Sequence, residues 1–188
     1  MRDLAGILGG RLAITHQQLL AAALTCSDDD LAWHPAPTSP PIGFHLWHSG
    51  RWADRWAQAI ASSLPRLALG TNVAAQRWER EDLATGWGFP ASLGKGDTGM
   101  ELPDEEAASL PFPGSEALAG YLRHAFGDLE AIVAELDDAD LTEEGDDLLG
   151  GRAPLGDSLI RHHSHVSRHL GMIEAMRGLR GGHGTATV

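Results

Sequence analysis

From Leu155 to Met176 the apolar positions advance by alternating four- and three-residue steps: Leu155, Leu159, His162, Val166, His169, Ile173, Met176. That series is the seam of a helix packed against other helices, and its period excludes a strand. Two of its positions are histidines where leucines are expected. A core histidine gives up apolar burial and must satisfy two ring nitrogens. The segment also carries His163 and His165. His165 and His169 are four residues apart, so their rings lie one turn from each other on one helical face. This is chelate spacing, and a metal ion is the economical way to compensate buried imidazoles.

Two imidazoles hold an ion weakly, so a third ligand is sought elsewhere. A helix is expected from Pro41 to Ser63, after a stiff connector containing Pro35, Pro37, Pro40 and Pro41. On it His48 shares a face with Phe44, Trp52 and Arg55, and His45 lies one turn earlier. An inward histidine among aromatics is the best third candidate. Gly50 weakens this helix by roughly 1 kcal/mol against alanine, which is acceptable where a neighbouring element must come close. His48, His165 and His169 together would leave one to three coordination positions open, the arrangement of catalytic rather than structural sites. Neutral nitrogen donors suit zinc, nickel, iron or cobalt better than magnesium or calcium.

Two more helices follow from the same periodicity. One covers residues 2–26, with Leu4, Leu8, Leu12 and Leu19, and ends at the acidic run from Ser27. His16 on it reads as a polar or half-buried side chain. The other covers 115–137, with Leu118, Leu122, Phe126, Leu129, Val133 and Leu136, and with Ser115 as its N-cap. There His124 is expected to be exposed and Tyr121 to sit at the edge of the core. The last helix opens at Gly156 or Asp157 and ends at Gly181-Gly182. Residues 64–113 are rich in Gly and Pro, with short helices expected around 72–80 and 104–109. Trp78, Trp87 and Phe89 make this stretch a packed lid rather than a linker. The acidic turn at Asp140, Glu143, Glu144, Asp146 and Asp147 has no calcium-loop spacing and reads as solvated.

The fold class is therefore all-α: an antiparallel four-helix bundle with a long irregular insertion between its second and third helices. Residues 1–182 form a single domain, and 183–188 a flexible tail. A chain of 188 residues is long enough to bury a proper core. The formal net charge of −12 leaves no basic face for phosphate, which argues against nucleic acid. Cys26 is the sole cysteine, so neither an intrachain disulfide nor a cysteine zinc site is available. No leader or membrane span is seen, and a cytoplasmic location is the default expectation.

The stretch Ile42-Gly43-Phe44-His45-Leu46-Trp47-His48-Ser49-Gly50-Arg51 resembles the second-helix signature of the DinB/YfiT-like superfamily of metal-binding four-helix bundles. The run from His165 through His169-Leu170-Gly171-Met172-Ile173 to Arg177-Gly178-Leu179 resembles that family's closing helix. The distance between the two motifs and the insertion from Trp87-Gly88-Phe89 to Gly96-Asp97-Thr98-Gly99 agree as well. Members usually carry glutamine where this chain has Met172, so a polar role at that position is lost. The resemblance implies a divalent metal on His48, His165 and His169, and frequent homodimers. It also implies, for members with assigned activities, transferases or isomerases that use a low-molecular-weight thiol such as mycothiol, bacillithiol or glutathione.

The expected activity is thus a metal-dependent reaction of a bound thiol with a small electrophilic substrate. The pocket is expected between the second and fourth helices under residues 64–113. Trp52 and Arg55 are its candidate substrate-binding wall, and Arg55 could pair a carboxylate. Asp54 is expected to point away, to the surface or behind the site. His162, one turn before His165, is the candidate catalytic base, or else a further ligand or a support for one. The rival readings are a hydrolase in which His162 takes a proton from metal-bound water, and a non-catalytic module that holds a small ligand.

Overall fold

The computed structural model describes residues 3–68, 75–90, 93 and 98–182. The expected tail at 183–188 lies outside these. Among the described residues the regular structure is helical apart from one small hairpin. Four long helices dominate: α1 (Leu4–Thr25), α3 (Ile42–Ser63), α8 (Ser115–Ala134) and α9 (Leu155–Leu179). Helices α1 and α3 each pack against both α8 and α9, so the four apolar stripes meet in a common core. Short helices lie between them: α2 (Asp28–Leu31), α4 (Pro65–Ala68), α5 (Arg77–Arg80), α6 (Leu83–Gly86) and α7 (Asp104–Ala108).

The helix ends follow from local chemistry, and three differ from the sequence expectation. Asp3 caps α1 by accepting from the Gly6 N–H at 2.8 Å. The acidic run after α1 is not merely a stop. Ser27 and Asp30 form a reciprocal capping box that starts α2. Ser115 is the first residue of α8 rather than its cap; its N–H donates to Asp28 at 2.9 Å, so a carboxylate from α2 serves the helix start. The expected acidic solvated turn is a hairpin, β1 (Glu144–Asp146) paired antiparallel with β2 (Arg152–Pro154). Its register places Gly145 opposite Ala153, and it leads straight into α9.

Gly50 lets α8 side chains pack directly on the α3 backbone. A Cβ there would stand 2.7 Å from Leu122 Cδ2 and 2.8 Å from Tyr121 Cε1. Gly50→Ala is therefore expected to destabilise by about 1–3 kcal/mol from overpacking, against a helix-propensity gain of about 1 kcal/mol. Urea denaturation should show a lower midpoint; an unchanged or higher one would mean the two helices separate freely.

The segment between α3 and α8 is held by aromatic packing and one carboxylate. Trp78 is 2 % exposed and packs on Trp47, Phe89, Trp87 and Tyr121. Asp54, far from being a surface group, is 3 % exposed. It accepts from the backbone N–H groups of Arg77 and Trp78, both at 2.8 Å, and from Arg51 at 3.2 Å. Tyr121 donates its hydroxyl to the same carboxylate at 3.4 Å and is buried in the core, not at its edge. Asp54 thus pins the start of α5 to the middle of α3.

Candidate metal centre

His48 on α3 and His165 and His169 on α9 place one ring nitrogen each within 4.8 Å of the others. The Nε2 of His165 is 3.2 Å from that of His48 and 3.0 Å from that of His169. Two nitrogens bound to one zinc at about 2.0–2.1 Å, at angles between square and tetrahedral, stand roughly 2.8–3.4 Å apart. The two spacings that His165 makes fall in that range.

The far side of the His48 ring fixes which of its nitrogens is left to face inward, and the His169 ring has a partner there too. His48 Nδ1 donates to the Thr98 carbonyl at 2.5 Å, so its Nε2 carries a lone pair. Gly99, with φ +78, makes that contact possible: a Cβ would meet Trp47 and Phe44 below 3.0 Å. His169 Nδ1 lies 2.9 Å from His45 Nδ1. With His169 as donor, its Nε2 is likewise left as an acceptor aimed at the cluster. Lone pairs converging in a half-buried space repel one another unless a cation or proton lies between them. The donor set fits a divalent transition metal. His45 is the residue that sequence reasoning passed over, though its position one turn before His48 was the available signal.

Burial depresses every basic group here. His48, His45 and His165 are each lowered from 6.5 to about 4, chiefly by desolvation, and His169 to about 2, by desolvation and then by its histidine neighbours and Arg168. At neutral pH the rings are uncharged, as ligands must be. Between about pH 6.5 and 4 the unfolded chain takes up protons that the folded one does not, so stability rises with pH across this window. Urea midpoints of chelator-treated protein should fall steadily from pH 7 to 5. A flat profile would show the rings to be accessible to water.

A cavity of about 290 Å³ opens onto His48 and His165. Its walls include Trp52, Trp56, Met100 and Leu149, with Arg161 and Arg168 among its polar lining. Trp52 thus lines this cavity, and its indole N–H also donates to His48 Nε2 at 3.1 Å. Arg55 is not in this cavity. Its guanidinium stacks 5.3 Å over the Trp52 ring and lines a neighbouring, more polar cavity with Gln58 and Glu144. The hairpin loop supplies Asp147 and Leu149 to the histidine cavity, a contribution hidden by its acidic, loop-like composition.

His162 also borders the cavity but stands apart from the three-histidine group. It is 2 % exposed, and both its ring nitrogens have no partner among the described residues. It faces His16, which is fully buried rather than half-buried, stacked on Phe126 and bonded to Glu130 at 2.8 Å. His124 is exposed, as its place off the stripe implies.

The architecture and its convergent imidazoles define a helical protein with a three-histidine centre. A profile of the DinB superfamily matches residues 11–173, and the chain belongs to that superfamily. The crystal structure of a conserved protein from Enterococcus faecalis shares the fold. It superposes with a TM-score of 0.71 at 16 % identity, covering 95 % of this chain and 98 % of that one. No curated protein matches the sequence. Among the described residues, no helix is long and apolar enough to cross a membrane.

Proposed function

We propose that this chain is a metal-dependent enzyme in which His48, His165 and His169 hold zinc, nickel or iron, and that a low-molecular-weight thiol reacts there with a small electrophile. The observation that carries the reading is the convergence of three Nε2 atoms, that of His48 fixed as an acceptor from behind by the Thr98 carbonyl and that of His169 left as one when its Nδ1 donates to His45. Family resemblance supports the thiol. An ion bound there would lower the pKa of a thiol or water beside it.

The protein's own residues supply the rest. Trp52 and Trp56 exclude water and hold an apolar substrate body against the open side of the histidines. The Trp52 indole, once His48 Nε2 is engaged, is free to donate to the sulfur. In a transfer, the new sulfur–carbon bond forms as the bond to the leaving group breaks, and the thiol proton leaves with that group. This reading takes the four long helices as an antiparallel bundle with 64–113 as its insertion, and the protein as a cytoplasmic homodimer. Elemental analysis and turnover of electrophiles with and without added thiol test it. Activity indifferent to thiol would rule the transfer out.

A hydrolase is the second reading, favoured by one observation: His162 borders the cavity with both ring nitrogens unengaged, and burial keeps it neutral. His162→Leu separates the two. Removing two desolvated nitrogens at nearly constant volume should stabilise by about 1 kcal/mol, or roughly 2–4 °C in melting temperature. Thiol-dependent turnover should survive the change, whereas hydrolysis would be lost. A lowered melting temperature would mean that the ring is bonded within the core.

A further inference from the structure

The cavity beside the histidines carries a charge opposite to that of the molecule. The chain has a formal net charge of −12, yet the cavity lining holds two arginines, Arg161 and Arg168, against one carboxylate, Asp147. Asp147 is fixed as an anion by the N–H groups of Leu149 and Gly151, both at 2.8–2.9 Å, and sits 3.8 Å from Arg161. Arg168 has no hydrogen-bond or ion-pair partner among the described residues. The register is what makes this useful. Arg161, His165 and Arg168 follow one another by four and three residues on α9, so both guanidinium groups flank the ring nearest the cavity. Along the helix axis their backbone positions lie roughly 6 Å (Arg161) and roughly 4.5 Å (Arg168) from that of His165.

We propose that the occupant of this cavity is an organic anion: an apolar molecule with a carboxylate or similar oxyanion at one end, held by Arg168 with Arg161 beside it. The apolar body lies against Trp52, Trp56, Met100 and Leu149. Its reacting end faces the histidines, a placement that rests on the metal-centre reading; the anion preference rests on the arginines alone. A positive pocket on an acidic surface also rejects anions that cannot bury an apolar part, because the surrounding field repels them.

Paired probes test this with zinc-loaded protein, using tryptophan fluorescence or calorimetry. ω-Mercaptoalkanoates with two to five methylenes are compared with the ω-mercaptoalkanols of equal length. The carboxylates should bind about 10-fold more tightly at low salt, with an advantage that shrinks as salt rises. The advantage should fall to within about twofold in Arg168→Gln and vanish in the Arg161→Gln/Arg168→Gln pair, since a lost charge-assisted bond is worth about that factor or more. Arg123→Gln, on α8, should leave it unchanged. Equal binding of both probes, or an advantage that survives the double substitution, would overturn the proposal. Zinc content of the same samples and a thiol-free pair, phenylbutyrate against phenylbutanol, keep the two ideas apart. Zinc without anion preference sinks only the anion site. Arg168-dependent preference without zinc sinks only the metal centre.

Discussion

His169→Ala is expected to abolish metal retention, weakening affinity by more than roughly 100-fold, the upper effect of removing a mere outer partner. His169 is a candidate ligand with contacts at both ring nitrogens. Its Nε2 is 3.0 Å from His165 Nε2 while its Nδ1 is engaged by His45. Metal content after dialysis gives the first readout, and the melting temperature in chelator the second. The metal-free melting point should hardly move, because His169 is only half-buried and α9 is carried by Leu159, Val166 and Ile173. His45→Ala offers a graded comparison: it keeps all three ligands and removes only the group behind one of them, so affinity should fall by about 10–100-fold. Full metal retention in His169→Ala would mean that the three nitrogens meet without binding an ion.

Asp54→Ala should bring the largest loss of stability, about 3–5 kcal/mol. The carboxylate satisfies two backbone N–H groups and half-neutralises Arg51, which is itself 0 % exposed. Burial pushes its pKa up while those N–H groups and Arg51 pull it down. Removal leaves the buried guanidinium, which also donates to Gln76 at 2.8 Å, without the Asp54 charge beside it, and it frees the start of α5. Trp78 then loses its seat, so tryptophan emission should shift to the red before the long helices melt. Asp54→Asn, which retains one acceptor, should cost clearly less. Coincident fluorescence and far-ultraviolet transitions in Asp54→Ala would show instead that the insertion unfolds only with everything else.

The long helices were legible because their burial is periodic. Leu118, Leu122, Phe126 and Leu129 occupy the inner face of α8 as the spacing requires, and the same arithmetic brings His165 and His169 together. The pairing of α3 with α9 was legible only through the oddity of an inward His48 among aromatics. What stayed hidden depends on tertiary partners that carry no local signature. Asp54 reads as a surface acid on a helix; only the approach of Arg77 and Trp78 turns it into an internal cap. Arg55 and Trp52 are three residues apart, yet they serve different cavities. The 140–154 stretch reads as a solvated acidic loop because its hairpin is short and its contribution comes from Asp147 and Leu149 at the tip.

The hold of Thr98 on His48 is made by a main-chain oxygen. The hydrogen bond therefore does not depend on which side chain stands at that position, although Thr98 is itself 1 % exposed and only a residue of similar size fits there. Its neighbour has no such liberty, since Gly99 must pass between Trp47 and Phe44 to deliver that oxygen. Drift in this part of the chain should accordingly be uneven: limited by size at one residue, forbidden at the next.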